Sequence, residues 1–129
     1  MLKGIDNVGV AVTDLARSAA FYEKLGFTKG YDYEADVKGC TMNAGSAVLF
    51  LFQIKQVNPQ AVKRDPSLAQ NPPGIDHISF LVEDVNQTYA ELKAKGVAFL
   101  SEPADQDWGA CLVGLKDPDG NNLYFLQYL

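Results

Sequence analysis

The chain is poor in the residues that most often carry site chemistry. It has one histidine, one tryptophan and two cysteines in 129 residues. Two cysteines cannot build the disulfide framework of a small secreted scaffold. Cys40 and Cys111 both stand in apolar, strand-like surroundings. That placement reads as reduced core thiols in a cytoplasmic protein, with a bridge between the two as the alternative. Basic residues are outnumbered by acidic ones, 11 to 16, for a net charge of −5. The deficit argues against nucleic acid, whose binders carry basic patches, and against anionic membrane surfaces. No apolar run is long enough to span a bilayer. Met1-Leu2-Lys3-Gly4 leads straight into a strand pattern, so no secretory signal is expected. What remains is ordinary for a globular domain: 47% hydrophobic and 21% charged residues, in a length that suits one domain with a core of its own.

The chain also repeats itself. Ile5-Asp6-Asn7-Val8-Gly9-Val10-Ala11-Val12-Thr13-Asp14 returns 70 residues later as Ile75-Asp76-His77-Ile78-Ser79-Phe80-Leu81-Val82-Glu83-Asp84. The same offset pairs Ala20 with Ala90, Gly26 with Gly96 and Gly39 with Gly109. A repeat of this kind is one structural unit used twice. The two copies differ at Asn7 and His77, so an imidazole stands in one copy only.

In the first copy, Gly4 to Val12 predicts a strand and Asp14 caps a helix from Leu15 to Leu25, which Gly26 ends. Tyr31 to Tyr33, Cys40 to Asn43 and Ala47 to Ile54 read as three more strands, the last two joined by the turn Ala44-Gly45-Ser46. In the second copy the strand is Gly74 to Val82. Asp84 caps a helix, Gln87 completes a capping-box pattern, and Gly96 stops it. Val97 to Leu100, Ala110 to Lys116 and Asn121 to Tyr128 are the remaining strands, with a turn at Asp117-Pro118-Asp119-Gly120. The expected fold class is α+β: two βαβββ modules forming a curved mixed sheet around a cup, in a single domain. Module one is 1–54, the linker 55–73 and module two 74–129. The linker is proline-rich, and its length suits a cover over something.

Alternation assigns the faces. Asp6, Val8, Val10 and Val12 oppose Asn7, Gly9 and Ala11; Asp76, Ile78, Phe80 and Val82 oppose His77, Ser79 and Leu81. The bulky sets are expected under the helices. The small sets leave room on the opposite faces for a ligand, or else let another element pack close.

The βαβββ-βαβββ order, the Ile5 to Leu15 opening, Phe21-Tyr22 followed by Leu25-Gly26-Phe27, and Asp117-Pro118-Asp119-Gly120-Asn121 resemble the vicinal oxygen chelate superfamily. That group includes glyoxalase I, extradiol dioxygenases, and fosfomycin and bleomycin resistance proteins. The resemblance covers all but the linker. In metal-dependent members it implies ligands from the first and last strands of each module, here Asn7, Phe50, His77 and Tyr124. Only His77 is a good ligand among them. Asn7 offers a neutral amide, Phe50 nothing, and Tyr124 a phenol with an ordinary pKa of about 10. Gln53 and Gln127 fall on the opposite sheet face by alternation.

No metal and no cofactor is therefore expected. His77 is the sole catalytic candidate, read first as a binding or structural residue because no nucleophile accompanies it. Asn7, Phe50, Phe52, His77, Ser79, Trp108 and Tyr124 are the expected ligand-binding residues. Their rings suit a flat or apolar compound, with core packing as the alternative for Phe50, Phe52 and Tyr124. Trp108 is placed to close over a ligand or to serve a dimer contact, and Tyr31 and Tyr33 to wall the same cup. Asp6 and Asp76 read as hydrogen-bonding residues at strand entry. The functional expectation is a metal-independent small-molecule-binding protein of the glyoxalase/bleomycin resistance type, in the cytoplasm. It has no nucleic-acid or membrane partner. The resemblance adds a homodimer. The alternatives are a glyoxalase-like lyase or isomerase, with a displaced metal site or His77 acid/base catalysis, and a structural or regulatory dimer module.

Overall fold

The computed structural model describes residues 1–55, 64–65 and 68–129. The chain divides into two compact units, Met1–Ala61 and Val62–Leu129.

The first unit holds β1 (Val8–Val12), α1 (Leu15–Lys24), β2 (Thr28–Glu34), β3 (Lys38–Ala44) and β4 (Ala47–Gln53). The second holds β5 (His77–Leu81), α2 (Val85–Ala94), β6 (Ala104–Asp105), β7 (Ala110–Lys116) and β8 (Asn122–Tyr128), preceded by a short 3-10 turn at Leu68–Gln70. Each unit forms one four-stranded mixed sheet. The strand order is β1-β4-β3-β2 in the first and β5-β8-β7-β6 in the second. The outer pairs β1·β4 and β5·β8 are parallel; the rest are antiparallel. The sequence repeat is thus a repeat of topology, and the α+β class with two βαβββ modules holds.

Both helices start by the same device. Asp14 and Asp84 sit in extended backbone and accept from the N–H of Arg17 and Gln87 at 3.0 Å. A glutamine from the last strand of the unit takes a second orphan donor. Gln53 Oε1 accepts from Leu15 N–H and Gln127 Oε1 from Val85 N–H, each at 2.9 Å. The two glutamines therefore lie on the helix side of their sheets, as alternation requires, and serve as caps. Gln87 does not close a capping box; its amide donates to Glu91 instead. Gly26 and Gly96 follow the last turns at φ +108° and +88°, a conformation costly for a side chain.

The core lies between helix and sheet in each unit. In the first, Val10, Val12, Tyr22, Met42, Leu49 and Leu51 are buried; in the second, Val85, Leu92, Val113, Leu115, Leu123 and Phe125. Tyr22 and Leu92 are repeat equivalents, 70 residues apart. Cys40 and Cys111 are free and buried. Burial pushes both thiols up, which keeps them unreactive.

Three sequence expectations are corrected. Strand β1 starts at Val8, paired with Leu49, and β5 at His77, paired with Asn122, the first residue of its parallel partner β8. Val97 to Leu100 is not a strand. A single bond, Leu100 N–H to Gly114 O at 2.9 Å, ties it to β7. Phe99 lies instead against the rings of Tyr89 and Phe125. The edge strand in that place is the two-residue β6. Among the described residues no helix is long and apolar enough to cross a membrane.

Candidate functional site

In the second unit, register fixes which side chains share the sheet face turned away from α2. His77 pairs with Asn122, Ser79 with Tyr124, and Tyr124 with Gly114. Residues directly opposite in a sheet point the same way. His77, Ser79 and Tyr124 therefore come together, and the His77 and Tyr124 rings meet edge to face at 4.9 Å. A third of the His77 side chain is exposed. Gly114 lies under Tyr124: a Cβ there would stand 3.2 Å from the ring, so glycine lets the ring lie flat on the strand.

Asp76 orients the histidine. Its Oδ2 is 2.7 Å from His77 Nδ1. Its Oδ1 accepts from Asn71 Nδ2 at 2.7 Å and lies 3.8 Å from the Arg64 guanidinium. These partners, with the bond to His77 foremost, hold the Asp76 carboxyl below the usual carboxylate range. Asn71 is itself held, exchanging bonds with the backbone of Asp65 at 2.8 and 2.9 Å. Arg64 donates to the carbonyl oxygens of Pro72 and Pro73. The part of the 55–73 linker that is described thus buttresses Asp76. Residues 56–63 and 66–67, on which the rest of the lid expectation falls, lie outside the described residues.

An ionised carboxylate can only accept, so the proton shared with Asp76 belongs to His77 Nδ1. A ring that carries its proton on Nδ1 alone presents a bare lone pair at Nε2. Among the described residues Nε2 has no hydrogen-bond partner. Tyr124 contributes the complementary group. Burial, then the negative charge of Asp76, holds its phenol above the ordinary value, so it remains a neutral O–H. Beside Tyr124 lies an open hollow of about 230 Å³, walled by Leu100, Leu112 and Gly114 and rimmed by Ser101, Glu102 and Gln106.

The first unit repeats this plan with different chemistry. Asn7 Nδ2 donates to Asp6 Oδ2 at 2.9 Å, the counterpart of the His77–Asp76 contact. The open face carries a row of rings: Tyr33 and Phe50 meet at 5.6 Å, Phe50 and Phe52 at 5.7 Å. Gly39 seats Phe50 as Gly114 seats Tyr124, because a Cβ at Gly39 would stand 2.6 Å from the ring. Phe50 and Phe52 are only half-buried and are not the core of their unit. Tyr31 lies on a bulged stretch of β2, its N–H bound to Thr41 Oγ1, and is largely exposed.

The expected site residues therefore fall into two sets. Asn7, Phe50 and Phe52 share the open face of the first unit; His77, Ser79 and Tyr124 share that of the second. Trp108 joins neither. It sits exposed in the turn before β7, next to Ala110, whereas Tyr124 faces Gly114, about 13 Å further along the strand. Asp76, Asn71, Leu100 and Gly114 belong with the second set and were not among the expected residues. The signal for Asp76 was present: an aspartate precedes the variable position in both copies.

The donors at the four positions that the resemblance assigns to a metal do not fit one. They amount to one imidazole nitrogen, one neutral amide, one neutral phenol and a phenyl ring, where a divalent ion needs several anionic or imidazole ligands. Among the described residues no three of His, Cys, Asp and Glu gather as a metal-binding group.

Comparison with known proteins agrees with this architecture. Residues 4–125 match the family model of the Glyoxalase/Bleomycin resistance protein/Dioxygenase superfamily, and the chain belongs to that superfamily. It is 31% identical to the uncharacterized protein YetH of Bacillus subtilis, over 94% of this chain and 95% of that one. A glyoxylase/bleomycin resistance protein/dioxygenase domain from Frankia sp. EAN1pec superposes with a TM-score of 0.82 at 20% identity, over 100% of this chain and 94% of that one. A glyoxalase family protein from Enterococcus faecalis gives 0.77 at 24% identity, over 96% and 97%. At these identities the two structures establish the fold alone.

Proposed function

We propose that this protein binds a small, flat compound without a metal, on the open sheet faces that carry the ring residues. The observation that carries the reading is the open face of the second unit. There a 230 Å³ hollow lies against Tyr124, on the sheet face that also carries His77 and Ser79. Apolar walls with a few placed polar groups are the usual make-up of a small-molecule site. Rings at Phe50 and Tyr124, where the superfamily resemblance puts ligands, support binding by contact over binding through an ion. Buried, free Cys40 and Cys111 support a reducing, cytoplasmic setting. Exposed Leu81, Trp108 and Tyr128 offer apolar surface for a homodimer contact.

The Asp76–His77 pair favours a second reading, an enzyme in which Nε2 takes a proton from a substrate while Tyr124 donates to its oxygen. One preparation separates the readings. Protein purified without chelators is assayed for bound metal and for mass, then screened for thermal shift against single-ring compounds. The proposal expects no stoichiometric metal, a two-chain mass, and stabilisation that rises with ligand, reaching about 2.7 kcal/mol at a hundredfold excess over Kd. Stoichiometric zinc, nickel, manganese or iron through His77 overturns metal independence. Turnover of a bound compound that disappears with His77→Ala moves the assignment to the enzyme.

A further inference from the structure

We propose that the hollow beside Tyr124 takes a small organic ammonium: one flat ring against the apolar wall, and a primary amine on a short arm that reaches the Glu102 carboxylate. The inference rests on the binding reading and names the ligand class of that hollow. His77 does not line the hollow and plays no part. The wall is apolar, made by Leu100, Leu112, Gly114 and the Tyr124 ring. Leu100 is about half exposed, so a ring laid on it takes apolar surface out of water. Gly114 keeps the floor open: a Cβ there would stand 3.2 Å from the Tyr124 ring and 3.5 Å from Leu100. A cavity of about 150 Å³ is enough for benzene, so 230 Å³ suits one ring with a short arm.

The rim is weighted to acceptors. Among the described residues Glu102 is the one charged side chain that lines the hollow, and an ionised carboxylate only accepts. Ser101 Oγ already donates to the Glu102 carbonyl oxygen at 3.2 Å. Gln106 Nε2 donates to the Ala104 carbonyl oxygen at 3.1 Å, which leaves its Oε1 to accept. A primary ammonium matches such a rim, with three N–H donors and a positive charge. The face of the Tyr124 ring also attracts a cation. The surrounding charges agree. Asp76 adds to burial in keeping the Tyr124 phenol protonated, and a field that disfavours a phenolate favours an ammonium. The protein's own cations are engaged elsewhere. Lys93 is bound to the Tyr89 hydroxyl at 3.1 Å and lies over that ring, and Glu102 acts on it more weakly than Tyr89 does. Lys116 is turned to the carbonyl oxygens of Arg64 and Gly120, and Arg64 faces Asp76.

The probes are benzylammonium, benzyl alcohol and benzoate, each with one ring and respectively cationic, neutral and anionic at neutral pH. Their affinities are measured by calorimetry at low salt. Benzylammonium is expected to bind about fivefold or more tighter than the alcohol, and benzoate the most weakly. The margin should shrink as salt is raised. Glu102→Gln should remove about the same factor from the amine and leave the alcohol unchanged. Glu102 is exposed, so this variant keeps the fold. Glu83→Gln deletes an equal charge just before α2 and should leave both affinities unchanged. Amine and alcohol bound alike, benzoate bound tightest, full amine affinity in Glu102→Gln, or an equal loss in both variants overturns the inference and leaves the binding reading standing. Failure of all three probes, with stabilisation by larger flat compounds, does the same. Failure of every small compound in the thermal screen overturns the binding reading as well.

Discussion

Tyr22→Ala is expected to destabilise the protein by about 3–5 kcal/mol, the range for emptying a large aromatic site in a core. Tyr22 is fully buried on α1, and its ring meets Phe21 and Phe27 edge to face at 5.2 and 5.6 Å. Removing it deletes transfer free energy and strands both neighbours against a void. With a whole-domain stability of about 5–15 kcal/mol, this is a large share. The repeat equivalent, Leu92→Ala, is expected to cost about 2–5 kcal/mol. Urea unfolding of both variants checks this. The midpoint should fall sharply, with an unchanged slope. A loss under about 1 kcal/mol for Tyr22→Ala would mean that the helix does not pack on the sheet as described.

Asp76→Asn has the largest expected effect on binding. The carboxamide must satisfy two different neighbours. Asn71 Nδ2 donates towards Oδ1, so the amide oxygen belongs there. Its NH2 group then faces His77 Nδ1, where Oδ2 stands in the parent. A donor at that place forces the proton of the ring onto Nε2. The outward nitrogen changes from acceptor to donor without any change of shape. Binding of a compound that donates a hydrogen bond to His77 should weaken by about tenfold or more, because the outward lone pair is gone. The pH dependence of stability has a definite sign. The folded Asp76 carboxyl is held below its ordinary value, so the parent's advantage over the variant is present above the ordinary carboxylate range. It is lost as pH falls through the lowered folded value. An unchanged affinity would show that Asp76 does not set the state of His77.

Much of the fold can be read from local pattern. The offset of 70 gives the two modules, and alternation assigns Val10 and Val12 to one side of β1 and Gly9 and Ala11 to the other, as found. The same alternation places Gln53 and Gln127 on the helix side, although their role as caps depends on where each helix begins in space. Val97 to Leu100 is apolar enough to read as a strand, but its Phe99 packs on Tyr89 and Phe125 and the segment does not pair in the sheet. The site was partly legible. His77, Ser79 and Tyr124 share a face because strand register is regular. Asp76 reads as a hydrogen-bonding residue at strand entry, but its partners Asn71 and Arg64 fold back from the linker and are not visible in local pattern. The separation of Trp108 from Tyr124 is likewise not visible in local pattern. Sequence puts it near a strand mouth, and only the β7·β8 register shows that this is the far end from Tyr124.

His77 is the only histidine, so nitrogen-15 labelling yields one imidazole and no assignment problem. The most direct test is its long-range proton–nitrogen spectrum, recorded at alkaline pH for the parent and for Asp76→Asn. The account predicts a proton on Nδ1 and a bare Nε2 in the parent, and the proton on Nε2 in the variant. A proton on Nε2 in the parent, or the same tautomer in both proteins, would contradict it.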